Sequence, residues 1–251
     1  MSNYHFEIIP ISRGRGHSVT RLANYVSGQK LHDIYLHETY YRQRTDIAFM
    51  GIFLPARAPS DFDDLQRLCD KIECAEKRYD ARTARELIAS LPNELALAEN
   101  IRIVETFIRA NFLEYGLCAI AAIHKGQNLT DPTRNNPHTH IILPTRTLDE
   151  NGFHAKKYRE LDKQENVKIW RKQWADVQNI AYERNGLPIR VSHESLEVQG
   201  KWDRKPKVHL SRIDWQRMHQ ENHAHTKALT QSITQQHQHL QQEMIPSLDI
   251  E

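Results

Sequence analysis

Two imidazoles stand two residues apart inside an apolar run, Asn136-Pro137-His138-Thr139-His140-Ile141-Ile142-Leu143. Side chains alternate faces along an extended chain, so a strand here points His138 and His140 the same way, near enough to share one metal ion. Pro137 suits the first position of such a strand, where no ladder donor is lost. Upstream, Leu117-Cys118-Ala119-Ile120-Ala121-Ala122-Ile123-His124 reads as a buried strand that ends in a third histidine. The segment between them is polar and turn-rich, from Lys125-Gly126-Gln127 to Asn135-Asn136, as a hairpin loop requires. An antiparallel pairing brings His124 beside the other two. Three neutral imidazoles with coordination positions left open suit a catalytic ion better than a closed structural one. The blander reading, a pair of merely hydrogen-bonded strand histidines, stays open on this stretch alone.

Composition narrows the class without naming it. A chain of 251 residues buries a good core, and 39% apolar with 26% charged residues is ordinary for a globular protein. No apolar run approaches a bilayer's thickness, and the N-terminus lacks the basic-then-apolar layout of a signal peptide. The cysteines Cys69, Cys74 and Cys118 are odd in number and lack zinc-ligand spacing, which favours reduced thiols and a cytoplasmic location. The net charge of +2 is small, but its distribution is uneven. Arg13, Arg15, His17 and Arg21 cluster early; Lys156, Lys157 and Arg159 follow the histidine strand; Lys201, Arg204, Lys205, Lys207 and Arg212 come later. Residues 60–100 between them carry ten acids against six bases. One basic face could meet polyphosphate while another stays acidic, although charge runs are mostly solvated surface.

Along the chain, Tyr4 to Ile9 alternates as a first strand and Pro10 to Gly16 reads as a loop. Ser18 can cap a helix from Val19 to about Ser27, with Gly28 as its stop. Short extended pieces and turns follow to about Ala58. The Ser60–Asp64 segment opens a helix to about Arg78, its acids complementing the N-terminal dipole. Ala84 to Leu91 is a strand ended by Pro92, Leu97 to Tyr115 a helix stopped by Gly116, and Asp162 to Asn185 a long amphipathic helix closed by Gly186. These elements make an α+β domain with a mainly antiparallel central sheet flanked by helices, its histidine strands central. From Ser211 the chain is rich in Gln and His, a polar tail over 211–251 that is helical or partly disordered.

The first helix offers Val19, Leu22, Ala23 and Val26 as its apolar stripe, and Tyr25 falls on the border of that stripe. A border position lets the hydroxyl reach a groove in which neighbouring arginines could hold phosphates. A partly buried packing tyrosine is the competing reading, and Tyr40-Tyr41 is a second candidate pair.

Several segments together resemble the MobA/MobL family of plasmid mobilisation relaxases, members of the HUH (His-hydrophobe-His) endonucleases. They are Ala23-Asn24-Tyr25-Val26; Arg85-Glu86-Leu87 through Leu91-Pro92-Asn93-Glu94-Leu95; Ile123-His124-Lys125-Gly126; Asn136-Pro137-His138-Thr139-His140; and the distal Leu196-Glu197-Val198-Gln199-Gly200 with Pro206-Lys207-Val208-His209-Leu210. The match runs in family order over roughly residues 3–210, which implies a relaxase domain over 1–210. The gap from His124 to His138 is longer than is usual, with Asn128 to Arg134 as an insertion, and Thr139 is only weakly hydrophobic. The resemblance implies that His124, His138 and His140 hold a divalent ion, Mg²⁺ or Mn²⁺. It implies Tyr25 as the nucleophile and Glu86 as the acid that orients a ligand histidine. The reaction implied is metal-dependent transesterification that nicks one DNA strand through a 5′-phosphotyrosine and later reseals it. Single-stranded DNA at a plasmid transfer origin, accessory relaxosome proteins and a coupling protein are the implied partners. Arg13, Arg15, Arg21, Lys156 and Lys157 are the candidate DNA contacts, with 201–212 positioning phosphates.

Three other readings share parts of this pattern. A rolling-circle replication initiator uses the same metal site and tyrosine, but its tyrosine usually follows the histidine pair, whereas Tyr25 precedes it. A metal-dependent hydrolase using bound water would not need Tyr25. A non-catalytic DNA-binding protein on the same fold would bind without cleaving.

Overall fold

Phe6–Ser12 forms the first strand (β1) and Val19–Ser27 the first helix (α1). Leu31–Asp33 (β2) and Glu38–Tyr40 (β3) pair as a small hairpin, and Ile47–Phe53 (β4) follows. Leu65–Cys74 is α2, Arg82–Ser90 β5, Leu97–Asn111 α3, Ala119–His124 β6 and His138–Pro144 β7. The short strands Leu148–Asp149 (β8) and Gly152–Phe153 (β9) pair before the long helix α4, Gln164–Arg184. The computed structural model describes residues 4–203. The chain divides into two compact units, Met1–His193 and Glu194–Glu251, and all of these elements belong to the first. The expected domain end at 210 and the tail 211–251 lie outside the described residues, as do Arg204 to Arg212.

Five strands form one sheet in the order β1-β5-β7-β6-β4, with every neighbouring pair antiparallel. The α+β architecture with an antiparallel central sheet is therefore as the sequence suggested, and β7 sits in the middle. The two-residue period of the strands sorts the core onto two sides. Leu87, Ala119, Ala121, Ile123, Ile141 and Leu143 share one cluster with Phe107 of α3 and Trp170 and Trp174 of α4. Ala84, Ile120, Ala122 and Ile142 share the other with Val19, Ala23 and Val26 of α1 and Leu68 and Ile72 of α2. Because β6 and β7 are covered on both faces, they read as unbroken apolar runs.

Several boundaries differ from the sequence reading. β1 runs through Pro10 to Ser12, which an edge strand tolerates because one side of its backbone needs no ladder donor. Residues 47–53 form a full strand on the opposite edge, its pattern masked by Gly51. The helix expected from Ser60 is a short 3-10 turn over Ser60–Asp63, after which Asp64 caps α2 by accepting from the Arg67 amide. α2 stops at Cys74, where Arg13 takes over its last carbonyls: the guanidinium donates to Glu73 O at 2.7 Å and to Glu76 O at 2.8 Å. A cation at a helix C-terminus is favourable both for the dipole and for the orphan carbonyls. Arg13 is thus buried, a structural residue committed to Glu73 and not a surface contact.

The hairpin that joins β6 to β7 absorbs the insertion outside the sheet. Asn136 N–H donates to Gly126 O at 2.8 Å and closes the hairpin below the extra residues. Asn128 and Asp131 fold those residues by accepting from the amides of Thr130 and Asp131, and of Thr133, respectively. Gly126 has φ +55°, and a Cβ there would lie 2.0 Å from the Asn136 carbonyl oxygen. Gly126→Ala is expected to cost about 1–3 kcal/mol through backbone strain and a forced loop shift. Thermal unfolding checks it; an unchanged midpoint would mean that the hairpin closes otherwise.

Candidate active site

Register and alternation assemble the site. His124 and His138 are paired neighbours on β6 and β7, and Ala122 faces His140. The three imidazoles therefore project from one side of the sheet, the side that α1 covers. Their nearest ligand nitrogens all lie within 4.8 Å of one another. Each ring is oriented through its other nitrogen. His124 Nε2 donates to the Val26 carbonyl at 3.0 Å and His138 Nδ1 to the Asn136 carbonyl at 2.8 Å. His140 Nδ1 meets the Glu86 carboxylate at 2.7 Å. Carbonyls carry no proton, so those nitrogens of His124 and His138 must be the protonated ones. The lone pairs left over are His124 Nδ1, His138 Nε2 and His140 Nε2.

Two of those, His124 Nδ1 and His140 Nε2, are buried with no hydrogen-bond partner. A buried nitrogen lone pair without a partner is costly, and a divalent ion would satisfy it. Burial pushes the His124 imidazole down to about 4 and also lowers that of His138, so both stay neutral and able to coordinate. The residues fit a three-imidazole metal site with room for further ligands.

Thr139, an unexpected residue between two ligands, is buried facing away from the site and donates its hydroxyl to the Ala122 carbonyl at 3.0 Å. The hydroxyl is satisfied, so a threonine serves where a hydrophobe would. Glu86 lies across the sheet from Ile142, one step diagonal to His140, within side-chain reach. It is buried and fixes the His140 tautomer. Glu86→Gln is expected to weaken Mn²⁺ affinity about 10–100-fold with the fold intact. Calorimetric titration checks it, and an unchanged affinity would reduce Glu86 to a packing role.

Tyr25 joins this cluster from above. Its ring packs edge-on against His124, with centroids 5.9 Å apart, and against His140 at 5.6 Å. Helix α1 is set in place by its N-terminus. Ser18 caps it by accepting from the Arg21 amide, and the Val19 amide donates to the buried Glu73 carboxylate at 3.1 Å. Gly28 ends it in the left-handed conformation, φ +68°. The same helix thus carries Tyr25 and, one residue later, the carbonyl that holds His124.

Two arginines that the sequence reading passed over also touch Tyr25. Arg44 lies 4.4 Å and Arg42 5.2 Å from its ring centroid. Arg44 donates to the Tyr25 carbonyl at 3.2 Å and to Asp46 at 2.8 Å, and that hydrogen bond above all holds the Asp46 carboxyl down to about 2. Two arginines spaced one residue apart just before an apolar strand were the available signal. Of the other tyrosines, Tyr40 donates to Glu38 and Tyr41 is 71% exposed. Arg15, Arg21 and Lys156 are exposed, whereas Lys157 is paired with Glu76. Among the described residues no helix is long and apolar enough to cross a membrane. Cys69 and Cys118 are buried free thiols, and Cys74 is exposed.

The MobA/MobL family matches residues 17–221, most of the chain. The chain belongs to the MobA/MobL family. It is 28% identical over 252 residues to the probable mobilization protein MobA of Bifidobacterium longum, covering 83% of this chain and 43% of that protein. It is 30% identical over 241 residues to the conjugal transfer protein TraA of Agrobacterium fabrum, covering 84% of this chain and 21% of that one. The chain therefore spans less than half of either relative. A solved chain from work on the molecular basis of vancomycin resistance transfer in Staphylococcus aureus superposes with a TM-score of 0.69 at 29% identity, covering 77% of this chain and all of that one.

Proposed function

We propose that this MobA/MobL chain is a DNA relaxase, which nicks one strand at a plasmid transfer origin and later reseals it. The observation that carries this reading is the packing of Tyr25 directly on the three-histidine cluster. A hydrolase would have no use for a tyrosine there.

His124, His138 and His140 would hold the divalent ion, which when bound supplies charge neutralisation at the scissile phosphate. Mg²⁺ and Mn²⁺ are the candidates, and imidazole donors favour Mn²⁺ of the two. Tyr25 Oη attacks phosphorus in line, the bond to O3′ breaks, and the departing oxygen takes up a proton as a 3′-hydroxyl. The DNA is left esterified through its 5′-phosphate to Tyr25, so the bond's energy is kept and the reverse attack by a 3′-hydroxyl restores the strand. Arg44 and Arg42 supply fixed positive charge beside the ring where negative charge develops. Glu86 keeps His140 turned toward the ion.

The test mixes the protein with single-stranded DNA covering the transfer origin of its own plasmid and Mn²⁺, then looks for a denaturant-resistant adduct. Peptide mapping should find the DNA on Tyr25, and EDTA should prevent it. An adduct on Tyr40 or Tyr41 would move the nucleophile, and cleavage without an adduct would overturn the reading.

A further inference from the structure

A second charged site lies at the other end of the central sheet. Arg85 is adjacent to Glu86 in β5 and so projects from the opposite face, away from the histidines. It forms one wall of a cavity of about 330 Å³ lined also by Arg15, Arg82, Lys157, Tyr158 and Arg159. That volume sits at the lower end of the ~300–1,000 Å³ range of small-ligand sites, room for a nucleotide unit.

The charges around it do not balance. Asp80 is answered by Arg78, and Lys157 by Glu76. Asp162 is shared by Arg82, Arg85 and Arg159: Arg82 bonds it at 2.9 Å, Arg159 at 3.4 Å, and Arg85 in a close pair. With Arg15 on the rim, four guanidiniums face one carboxylate. Arg85 is only 8% exposed, so this excess includes a partly dehydrated cation for which a second anion is worth more than on an open surface. Tyr158 is half-buried on the same wall and offers a ring on which a base can stack.

We infer that this cavity is a second DNA site, in which Arg82, Arg85 and Arg159 hold a backbone phosphate of the single strand and Tyr158 receives its base. The inference rests on the relaxase reading for its choice of ligand. From His140 to Thr145 on the cavity wall is five residues of extended chain, about 16 Å. At about 3.4 Å per phosphate, roughly five nucleotides or more separate this site from the nicked bond. It acts on strand retention and leaves the chemistry to the histidines.

The test measures anisotropy of a labelled oligothymidine of about 30 nucleotides in EDTA, for wild type, Arg82→Gln/Arg159→Gln, and Arg102→Gln/Arg109→Gln. The last pair removes the same charge from exposed positions on α3. The cavity variant should bind about 10-fold more weakly, with a salt dependence shallower by roughly 1.4, at ~0.7 for each lost phosphate contact. The α3 variant should bind as wild type. On origin DNA, the cavity variant should need more DNA for half-saturation yet give the wild-type adduct rate at saturation. Equal weakening in both variants, or none in the cavity variant, overturns the inference. Stabilisation of wild type alone by inorganic phosphate or thymidine monophosphate, with oligonucleotide binding unaffected by the cavity variant, would assign the cavity to a small phosphorylated ligand and also overturn it. If wild type forms no adduct but the cavity variant still loses oligonucleotide binding, the relaxase reading fails and the DNA site stands.

Discussion

A Tyr25→Phe protein forms no covalent adduct with origin DNA, and strand cleavage falls by at least about 10³-fold. The substitution removes one oxygen and keeps the ring, whose edge-on packing against His124 and His140 depends on its apolar outline. Stability should therefore change little, as should binding of Mn²⁺ and of uncleaved DNA. The two measurements belong together: adduct yield on a denaturing gel, and DNA affinity by anisotropy on the same preparation. Retained cleavage at near wild-type rate would mean that water attacks, and the tyrosine is then only packing. Loss of DNA affinity along with the adduct would mean that the hydroxyl binds the strand instead of attacking it. Arg44 offers a graded companion. It touches the Tyr25 ring and carbonyl but cannot replace the nucleophile, so its loss should slow adduct formation without abolishing it.

Metal withdrawal has the second large effect. Mn²⁺ at about 100 times its dissociation constant should stabilise the protein by about 2.7 kcal/mol. At roughly 2–4 °C per kcal/mol for a domain of this size, the unfolding midpoint should rise by about 5–10 °C, and EDTA should reverse it. His140→Ala should abolish both this increment and the adduct. It also strands the buried Glu86 carboxylate, whose hydrogen-bond partner is His140 Nδ1, so the metal-free variant should itself be less stable by about 1–3 kcal/mol. Adding Glu86→Gln to His140→Ala should recover part of that loss, since a neutral amide is cheaper to leave buried. A wild-type protein whose midpoint ignores Mn²⁺ would contradict a metal site at these histidines, whatever its family.

The metal ligands were legible because their information is local. Alternation within β7 decides that His138 and His140 share a face, and a short hairpin decides that His124 joins them. The α1 helix was equally readable, since Ser18 and Gly28 mark its ends with side-chain and backbone chemistry confined to one turn. The motif Arg85-Glu86 pointed to the right acid only through resemblance; nothing in its spacing says that Glu86 reaches His140, 54 residues away.

Charge was the poorest guide. Arg13 stood in a basic cluster that reads as a phosphate contact, yet it is buried on Glu73, 60 residues on, and closes α2. Lys157 is likewise taken up by Glu76, while Arg42 and Arg44, in an unpatterned segment, come to lie on Tyr25. Whether a cation is a solvated surface group, a helix cap or part of a site depends on which distant carboxylate or carbonyl the packed chain brings to it. A long flexible side chain carries no periodic signal of that choice. The sequence by itself determined the antiparallel hairpin, the shared face of the histidines and the helix that bears the tyrosine, because backbone alternation and capping act over a few residues. Only the tertiary structure decided which arginines surround the tyrosine, which are buried, and where the unbalanced positive charge collects, because those are contacts between residues far apart in the chain.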